Sequence, residues 1–543
     1  MNALTSTAEP TATVAWPDLV AALLMHATDN PEAPAVVHGS STTTYEKFAG
    51  DAQRLAASLS DLGVTAGDRI VLHLGNCVEA AIGCYAAMML GAIAVPMNVH
   101  LKPHEVGRLM QRLQPAAYFG HPAQRGVMDE IATNLLPVTR RFYVDDRPAA
   151  QFAKRDDGHA GNTWHALVAN AREGRSFPAG DPDAVAVLLC TSGSTGEPKL
   201  VAHTRRALGH MVHYMHESGF GRNTKPLVPT PLFHLPGYAV LCAVISTGAC
   251  VALPLCVDFD GDAFLDAIEQ HRCTNTAVTP YGAAEMIRAQ QARRRVTDSL
   301  HLCVVAGDAC SIDLQQRFEQ TFGVELVCRY GMTEAPLGVL SGRTSRTMRA
   351  RAGMARVIDR DGNDVSAGTP GELCLNVPTL LKGYWIAPDK FDSARDADGW
   401  YHTGDLVRED EDGDLHYLAR IKEIIVRDGE NIAPAEIEQT LLSHPAAADA
   451  AIVGVPDEVL GERIVGFVKL ADHARGMREQ AIIAWLAARL ADHKLPETIF
   501  LVDSIPRTPF GKADRRALRA LASTEFARQR GMLADTPAAP SRT

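Results

Sequence analysis

An apolar run at residues 185–189 breaks abruptly into Cys190-Thr-Ser-Gly-Ser-Thr-Gly-Glu-Pro-Lys199. The run reads as a buried strand, because consecutive apolar residues leave no polar face for solvent. In the loop, Gly193 and Gly196 let backbone N–H groups approach an anion with no Cβ in the way. Thr191, Ser192, Ser194 and Thr195 add hydroxyl donors, and Lys199 adds a cation. Such a loop suits a polyphosphate. It is not a Walker A loop: Gly193 and Lys199 do not fit G-x-x-x-x-G-K-[ST], and Pro198 stands between the second glycine and the lysine. The competing reading is a plain surface turn, but turns seldom combine so many phosphate donors.

Strand-like runs alternate with amphipathic helical segments through roughly the first 400 residues, as in Arg69-Ile-Val-Leu-His-Leu74 and Leu302-Cys-Val-Val-Ala306. From Tyr45 to Leu62 the residues Phe48, Ala52, Leu55, Leu59 and Leu62 form one helical stripe. This alternation predicts an α/β fold with mainly parallel sheets flanked by helices. A length of 543 residues implies about two to four domains. A second, small α+β domain begins near Arg420. The segment 418–426 is followed by Asp428-Gly-Glu-Asn431, which reads as a turn, and a helix starts near Pro434. The expected division is a large N-terminal domain over 12–419, a hinge at 420–423 and a small mobile C-terminal domain over 424–522. Tails at 1–11 and 523–543, rich in Ala, Pro, Ser and Thr, are expected to be mobile. The acidic run Glu409-Asp-Glu-Asp-Gly-Asp414 reads as an exposed hairpin turn, with metal binding a minor alternative.

A net charge of −11 argues against a nucleic-acid partner, whose phosphates demand a basic face. The triple Arg293-Arg294-Arg295 reads as a solvated face. The 11 cysteines are scattered and show no C-x-x-C spacing, so neither a disulfide framework nor a zinc module follows, and a reducing cytoplasm fits best. The N-terminus shows no signal-peptide pattern. Residues 80–97 and 235–257 are apolar enough to suggest membrane spans. Glycine, Tyr85 and Pro96 in the first, and Ser246-Thr-Gly-Ala249 in the second, make each a buried helix followed by a strand.

Further segments follow the 190–199 loop in order: Tyr330-Gly-Met-Thr-Glu334, Gly399-Trp-Tyr-His-Thr-Gly-Asp405, Arg420-Ile-Lys-Glu-Ile-Ile-Val-Arg-Asp-Gly-Glu-Asn431 and Pro506-Arg-Thr-Pro-Phe-Gly-Lys512. Over roughly residues 15–520 the chain resembles the acyl-adenylate-forming superfamily in its acyl-CoA and aryl-CoA synthetase branch. The resemblance implies ATP, Mg²⁺ and CoA. A carboxylate would attack the α-phosphate, release pyrophosphate and give an acyl-adenylate, from which a thiol displaces AMP. Joining two anions needs positioning and electrostatic stabilisation more than an enzyme nucleophile.

The resemblance also implies roles for particular residues. Thr191, Ser192, Gly193, Ser194, Thr195, Gly196 and Lys199 would wrap the phosphates. Glu334 would hold Mg²⁺ and Thr333 would touch the α-phosphate region. Asp405 would accept the ribose hydroxyls with Arg420 at the same edge, while Gly307, Asp308, Ala309, Tyr330, Gly331 and Met332 would meet the adenine. Lys512 would enter beside the carboxylate and α-phosphate. His234 would sit beside the acyl carboxylate; a structural loop histidine is its alternative. Tyr238, Tyr281, Ala306 and Met332 would line the acid pocket. Lys422 would be the hinge, and Arg427, Asp428 and Gly429 would face CoA. His210, His213 and His216 read as one helix face, with a metal site the lesser alternative.

The chain departs from the family pattern at Leu200, Arg205, Arg329 and Asp428, and it lacks part of a glycine- and proline-rich segment within 341–359. Malonate-activating relatives also carry arginine at the position of Arg329, which leaves a polar or dicarboxylic acid open beside aromatic, branched, medium-chain and long-chain acids. The leading reading is an AMP-forming carboxylate–CoA ligase. The alternatives are a stand-alone adenylation enzyme loading a carrier-protein phosphopantetheine and a non-catalytic nucleotide-binding module. The expected partners are a small carboxylic acid and CoA, with no nucleic acid and no membrane span; a homodimer is left open.

Overall fold

The computed structural model describes residues 18–529 apart from 132–139, 145–162, 172–176, 178, 192–197, 229, 257–258, 337–339, 345–346, 429, 458, 475 and 509–511. The fold is mixed α/β, with a large N-terminal and a smaller C-terminal domain. By contacts the chain forms two compact units, residues 1–255 with 378–392, and residues 256–377 with 393–543.

The first unit is built on an eight-stranded sheet. Val185–Thr191, Ile93–Pro96, Arg69–His73, Ala117–Gly120 and Arg141–Tyr143 run parallel in that spatial order, and Lys199–Thr204, Gly383–Ala387 and Lys390–Asp392 extend the sheet antiparallel beyond Val185–Thr191. The expected parallel arrangement thus holds from Val185–Thr191 to the edge strand Arg141–Tyr143, with antiparallel strands added at the opposite edge. Helix Tyr45–Asp61 starts where Thr44 accepts a hydrogen bond from the Lys47 amide at 3.2 Å, and its Phe48, Ala52, Leu55 and Leu59 are all buried. Both apolar stretches that mimic membrane spans fold as helix plus strand: Val78–Leu90 with Ile93–Pro96, and Leu235–Thr247 with Val251–Leu253. Gly91 and Gly248 end those helices in the left-handed conformation, at φ 70° and 76°. Among the described residues no helix is long and apolar enough to cross a membrane.

The second unit carries a nine-stranded sheet. Asn275–Val278, Leu302–Val305 and Leu326–Tyr330 are parallel, joined through helices Pro280–Ala292 and Ile312–Phe322. Antiparallel strands continue the sheet, including the pair Tyr401–Glu409 and Leu415–Arg420, whose connection is the acidic turn at 410–414. Of the arginine triple, Arg293 and Arg294 are exposed as expected and Arg295 is not. Arg295 is 3% exposed, with Nε 2.9 Å from Asp266, because the neighbouring helix Gly261–His271 offers Asp262 and Asp266 as counter-charges.

The C-terminal part of this unit has its own five-stranded sheet of Glu430–Ile432, Ile425–Arg427, Gly461–Leu470, Ala447–Asp457 and Thr498–Leu501. Strand alternation splits its core in two. Ile452, Ile464 and Val468 pack with Ile437, Leu441, Ile482 and Leu486 of two helices, while Ala451, Val453, Val465 and Phe467 pack with Leu518 and Ala522 of helix Arg515–Gln529.

Candidate active site

The candidate site of the second unit opens at the C-terminal ends of its parallel strands, where α/β sheets leave a crevice. Strand Leu302–Val305 runs into Gly307, whose φ of +93° belongs to glycine. A Cβ built on Gly307 would stand 3.5 Å from Lys512 Cε and 3.7 Å from Thr279 Cγ2. Lys512 reaches this point from a loop closed by the Arg507–Ala513 bridge and a 2.8 Å bond from the Thr508 amide to the Lys512 carbonyl. Asp308 caps the same turn, accepting from the Ala309 amide at 2.8 Å.

The neighbouring strand Leu326–Tyr330 delivers Tyr330, whose hydroxyl donates to Asp405 Oδ2. Arg420 Nε lies 2.7 Å from Asp405 Oδ1, and Arg420 Nη1 donates to the Thr403 carbonyl at 3.2 Å. Asp405 is 1% exposed. Burial pushes its carboxyl above the usual aspartate value, against the opposing pull of Arg420, the Tyr330 hydrogen bond and Lys512. Gly307, Asp308, Ala309, Tyr330, Gly331, Asp405, Arg420 and Lys512 line one cavity. Each carboxylate oxygen of Asp405 keeps a further lone pair, which suits a vicinal diol.

Just beyond Tyr330 the chain closes a tight turn. Met332 and Ala335 exchange backbone hydrogen bonds of 3.0 and 3.1 Å, which holds Thr333 and Glu334 at its tip. Glu334 is 8% exposed. A carboxylate held at such a turn is a hard oxygen donor of the kind Mg²⁺ takes. Ala306 is fixed by its amide bond to the Val278 carbonyl at 3.0 Å. Tyr281, by contrast, lies against Arg507, whose guanidinium sits 4.2 Å over its ring, and it is not among the residues lining the Lys512 cavity.

In the first unit, Thr191 pairs in register with Lys199, and Lys199 Nζ lies 4.2 Å over the Tyr384 ring. Ser192, Gly193, Ser194, Thr195 and Gly196 lie outside the described residues, as does Gly429. His234 is the N-cap residue of helix Leu235–Thr247, 4% exposed, with its ring edge-on to Phe233. Burial, helped by His100, holds its imidazole well below the usual histidine value, so it is neutral at physiological pH. Tyr238, one turn along, is fully buried. His213 pairs with Glu217 at 3.2 Å, and the 210–216 histidines form no metal-binding group among the described residues. Arg205 pairs with Asp18 at 2.8 Å and donates to the Met88 carbonyl, which gives that departure from the family pattern a structural role.

In the second unit Lys422 is the middle of a single helical turn, Ile421–Glu423. Arg427 pairs with Glu497 at 2.8 Å, and Asp428 adopts φ +50° in the following turn. Sequence reading missed Tyr417, Glu423 and Arg515, which also line the cavity. Arg515 pairs with Glu423 at 3.1 Å and Glu438 at 2.7 Å, tying the 421–423 turn to helix Arg515–Gln529. It missed Glu372 as well, which accepts from the Gly404 amide at 2.9 Å and so braces the residue before Asp405. Glu423 lies within the 420–431 motif, but Glu372, Tyr417 and Arg515 lie outside the quoted motifs.

Comparison with known proteins agrees with the geometry. The AMP-binding enzyme family matches residues 23–385, and the AMP-binding enzyme C-terminal domain matches residues 436–512. The sulfoacetate–CoA ligase of Cupriavidus necator is 30% identical over 514 residues, covering 92% of this chain and 97% of the relative. The salicyl-AMP ligase/salicyl-S-ArCP synthetase of Mycobacterium tuberculosis is 31% identical over 530 residues, covering 93% of this chain and 88% of the relative. Among solved structures, ATP-bound MatB from Rhodopseudomonas palustris has a TM-score of 0.82 at 25% identity, covering 94% of this chain and 99% of that one. The chain thus belongs to the AMP-binding enzymes of the acyl-adenylate-forming superfamily and is an acid–thiol ligase.

Proposed function

We propose that this protein is an AMP-forming carboxylate–CoA ligase of the cytoplasm. Its first step joins a carboxylate to the α-phosphate of ATP with loss of pyrophosphate, and its second transfers the acyl group to the CoA thiol with loss of AMP. Asp405 accepts the ribose hydroxyls and Arg420 keeps it ionised. Gly307, Asp308, Ala309, Gly331 and Met332 form the adenine wall with Tyr330, whose hydroxyl also orients Asp405. Thr191, Lys199 and the 192–196 loop hold the β- and γ-phosphates. Glu334, with Thr333 beside it, would hold Mg²⁺, which when bound screens the phosphate charge. His234, neutral and buried, borders the acid without adding charge, together with Tyr238, Tyr281 and Ala306.

The observation that carries this reading is the approach of Lys512 to Gly307 in the cavity lined by Asp405 and Arg420. An ammonium there lowers the cost of bringing two anions together. We further propose that residues 424–522 act as a small domain that turns about Lys422, against a large domain at 12–419, withdrawing Lys512 and presenting Arg427, Asp428 and Gly429 to CoA.

The test is pyrophosphate release across a panel of acids, including sulfoacetate, dicarboxylates and aryl acids, with and without CoA. Acyl-CoA formation at the rate of CoA-dependent pyrophosphate release supports the proposal. The second reading is transfer to a carrier protein, and the salicyl-S-ArCP synthetase relative favours it. Acylation of a phosphopantetheinylated carrier with none of CoA would put that reading first.

A further inference from the structure

Near one edge of the nine-stranded sheet, on the strand that carries Asp405 and the strand paired with it, a second cluster of reactive side chains converges. Cys374 of strand Pro370–Leu375 is the register partner of His402 on strand Tyr401–Glu409, and Glu372 lies two residues before Cys374. One donor atom from each of Glu372, Cys374 and His402 lies within 4.8 Å of the other two. His402 Nδ1 is 3.1 Å from Glu372 Oε2, and its Nε2 is 3.3 Å from Asp396 Oδ2.

A neutral imidazole carries one N–H. When Nε2 donates it to Asp396, Nδ1 presents a lone pair to the Glu372 carboxylate, and two lone pairs at 3.1 Å are stable only around a cation. A proton on Nδ1 would satisfy that pair alone. The sulfur of Cys374 beside the same two atoms supplies what a proton does not need and a soft metal does. We propose that Glu372, Cys374 and His402 form a binding site for a thiophilic divalent cation such as zinc, with Asp396 as the outer carboxylate that orients His402.

The dimensions agree. Zinc bonds of about 2.0–2.3 Å put tetrahedral donors roughly 3.3–3.8 Å apart, within reach of small side-chain rotations here. A carboxylate and a thiolate neutralise the ion, and the Asp396–His402 contact is the carboxylate–histidine arrangement that fixes the metal-binding tautomer. Solvent reaches the cluster from the His402 side, where the imidazole side chain is 44% exposed. The nearby cation Arg356 is engaged elsewhere, 2.9 Å from Asp364 and over the Trp400 ring. Burial pushes the Cys374 thiol up to about 12, so the ion must expel its proton to solvent on binding. His402 lies within the Gly399–Asp405 motif, but Glu372 and Cys374 reach it only through strand register.

The test is titration of reduced, metal-free full-length protein with Co²⁺. One equivalent should raise a thiolate-to-cobalt charge-transfer band that one equivalent of Zn²⁺ abolishes. Cys374→Ala should remove the band, His402→Asn should weaken Co²⁺ binding by more than about tenfold, and Asp396→Asn by about tenfold. Cys374→Ser, with folding checked by circular dichroism, repeats the sulfur test if the alanine variant is unstable. No band in the wild type means that His402 binds only a proton, which overturns the proposal. A band unchanged in both Cys374 variants overturns it equally.

Discussion

Arg420 Nε stands 2.7 Å from Asp405 Oδ1, and the two residues are register partners on antiparallel strands. The hairpin therefore holds the charge pair before any ligand arrives. The same carboxylate takes the Tyr330 hydroxyl on its other oxygen.

Replacing Asp405 by Asn keeps the shape and deletes the charge. Arg420, with 29% of its side chain exposed, would lose its counter-charge, and solvent would meet part of the cost. The expected loss of stability is about 1–3 kcal/mol, read from denaturant unfolding. ATP affinity, read by calorimetry, should fall at least about tenfold, the worth of one charge-assisted hydrogen bond. Unchanged ATP affinity in a folded variant would remove Asp405 from nucleotide recognition.

Lys512 is exposed, so Lys512→Ala should leave stability within about 0.5 kcal/mol of wild type. Adenylate formation, trapped with hydroxylamine, should drop by about two to three orders of magnitude. Conversion of supplied acyl-adenylate and CoA to thioester should survive. Lys422→Pro should give the reverse pattern, because fixing φ in the 421–423 turn impedes rotation more than the first chemistry. Equal loss of both half-reactions in Lys512→Ala would contradict domain alternation.

His234 titrates well below the ordinary histidine value because it is buried. The unfolded chain takes up a proton near pH 6.5 that the folded chain refuses, so the stability contribution is full above about pH 6.5 and lost as pH falls below it. The slope approaches about 1.4 kcal/mol per pH unit for one such group. His234→Phe should flatten that part of the acid-side loss in urea midpoints measured at a series of pH values. An unchanged slope would mean that His234 protonates in the folded state.

Asp428 holds φ +50°, where a side chain is strained and glycine is not. Asp428→Gly should stay within about 1 kcal/mol of wild type, relief of strain offsetting the freer unfolded chain. Asp428→Val, β-branched, should cost about 1–3 kcal/mol. The comparison is by denaturant unfolding. A valine variant as stable as the glycine one would show that the turn relaxes to another backbone conformation.

What the sequence determined by itself is local. The Phe48–Ala52–Leu55–Leu59 stripe specifies a helix because 3.6-residue periodicity needs no distant partner, and Gly307, Tyr330, Asp405 and Lys512 are legible because each lies within a contiguous motif. What the tertiary structure decided is register and return. Glu372 meets Gly404 from 32 residues away, and Arg515 meets Glu438 from 77. No periodicity encodes which strand pairs with which, so neither contact can be read from spacing. Burial was equally out of reach. Arg295 looks like part of a solvated basic run until helix Gly261–His271 sets Asp262 and Asp266 against it. Glu372, Cys374 and His402 look like three ordinary strand residues until antiparallel pairing brings their donor atoms together. A side chain's type is written in the chain, but its neighbours depend on pairing across the sheet, which the fold alone supplies.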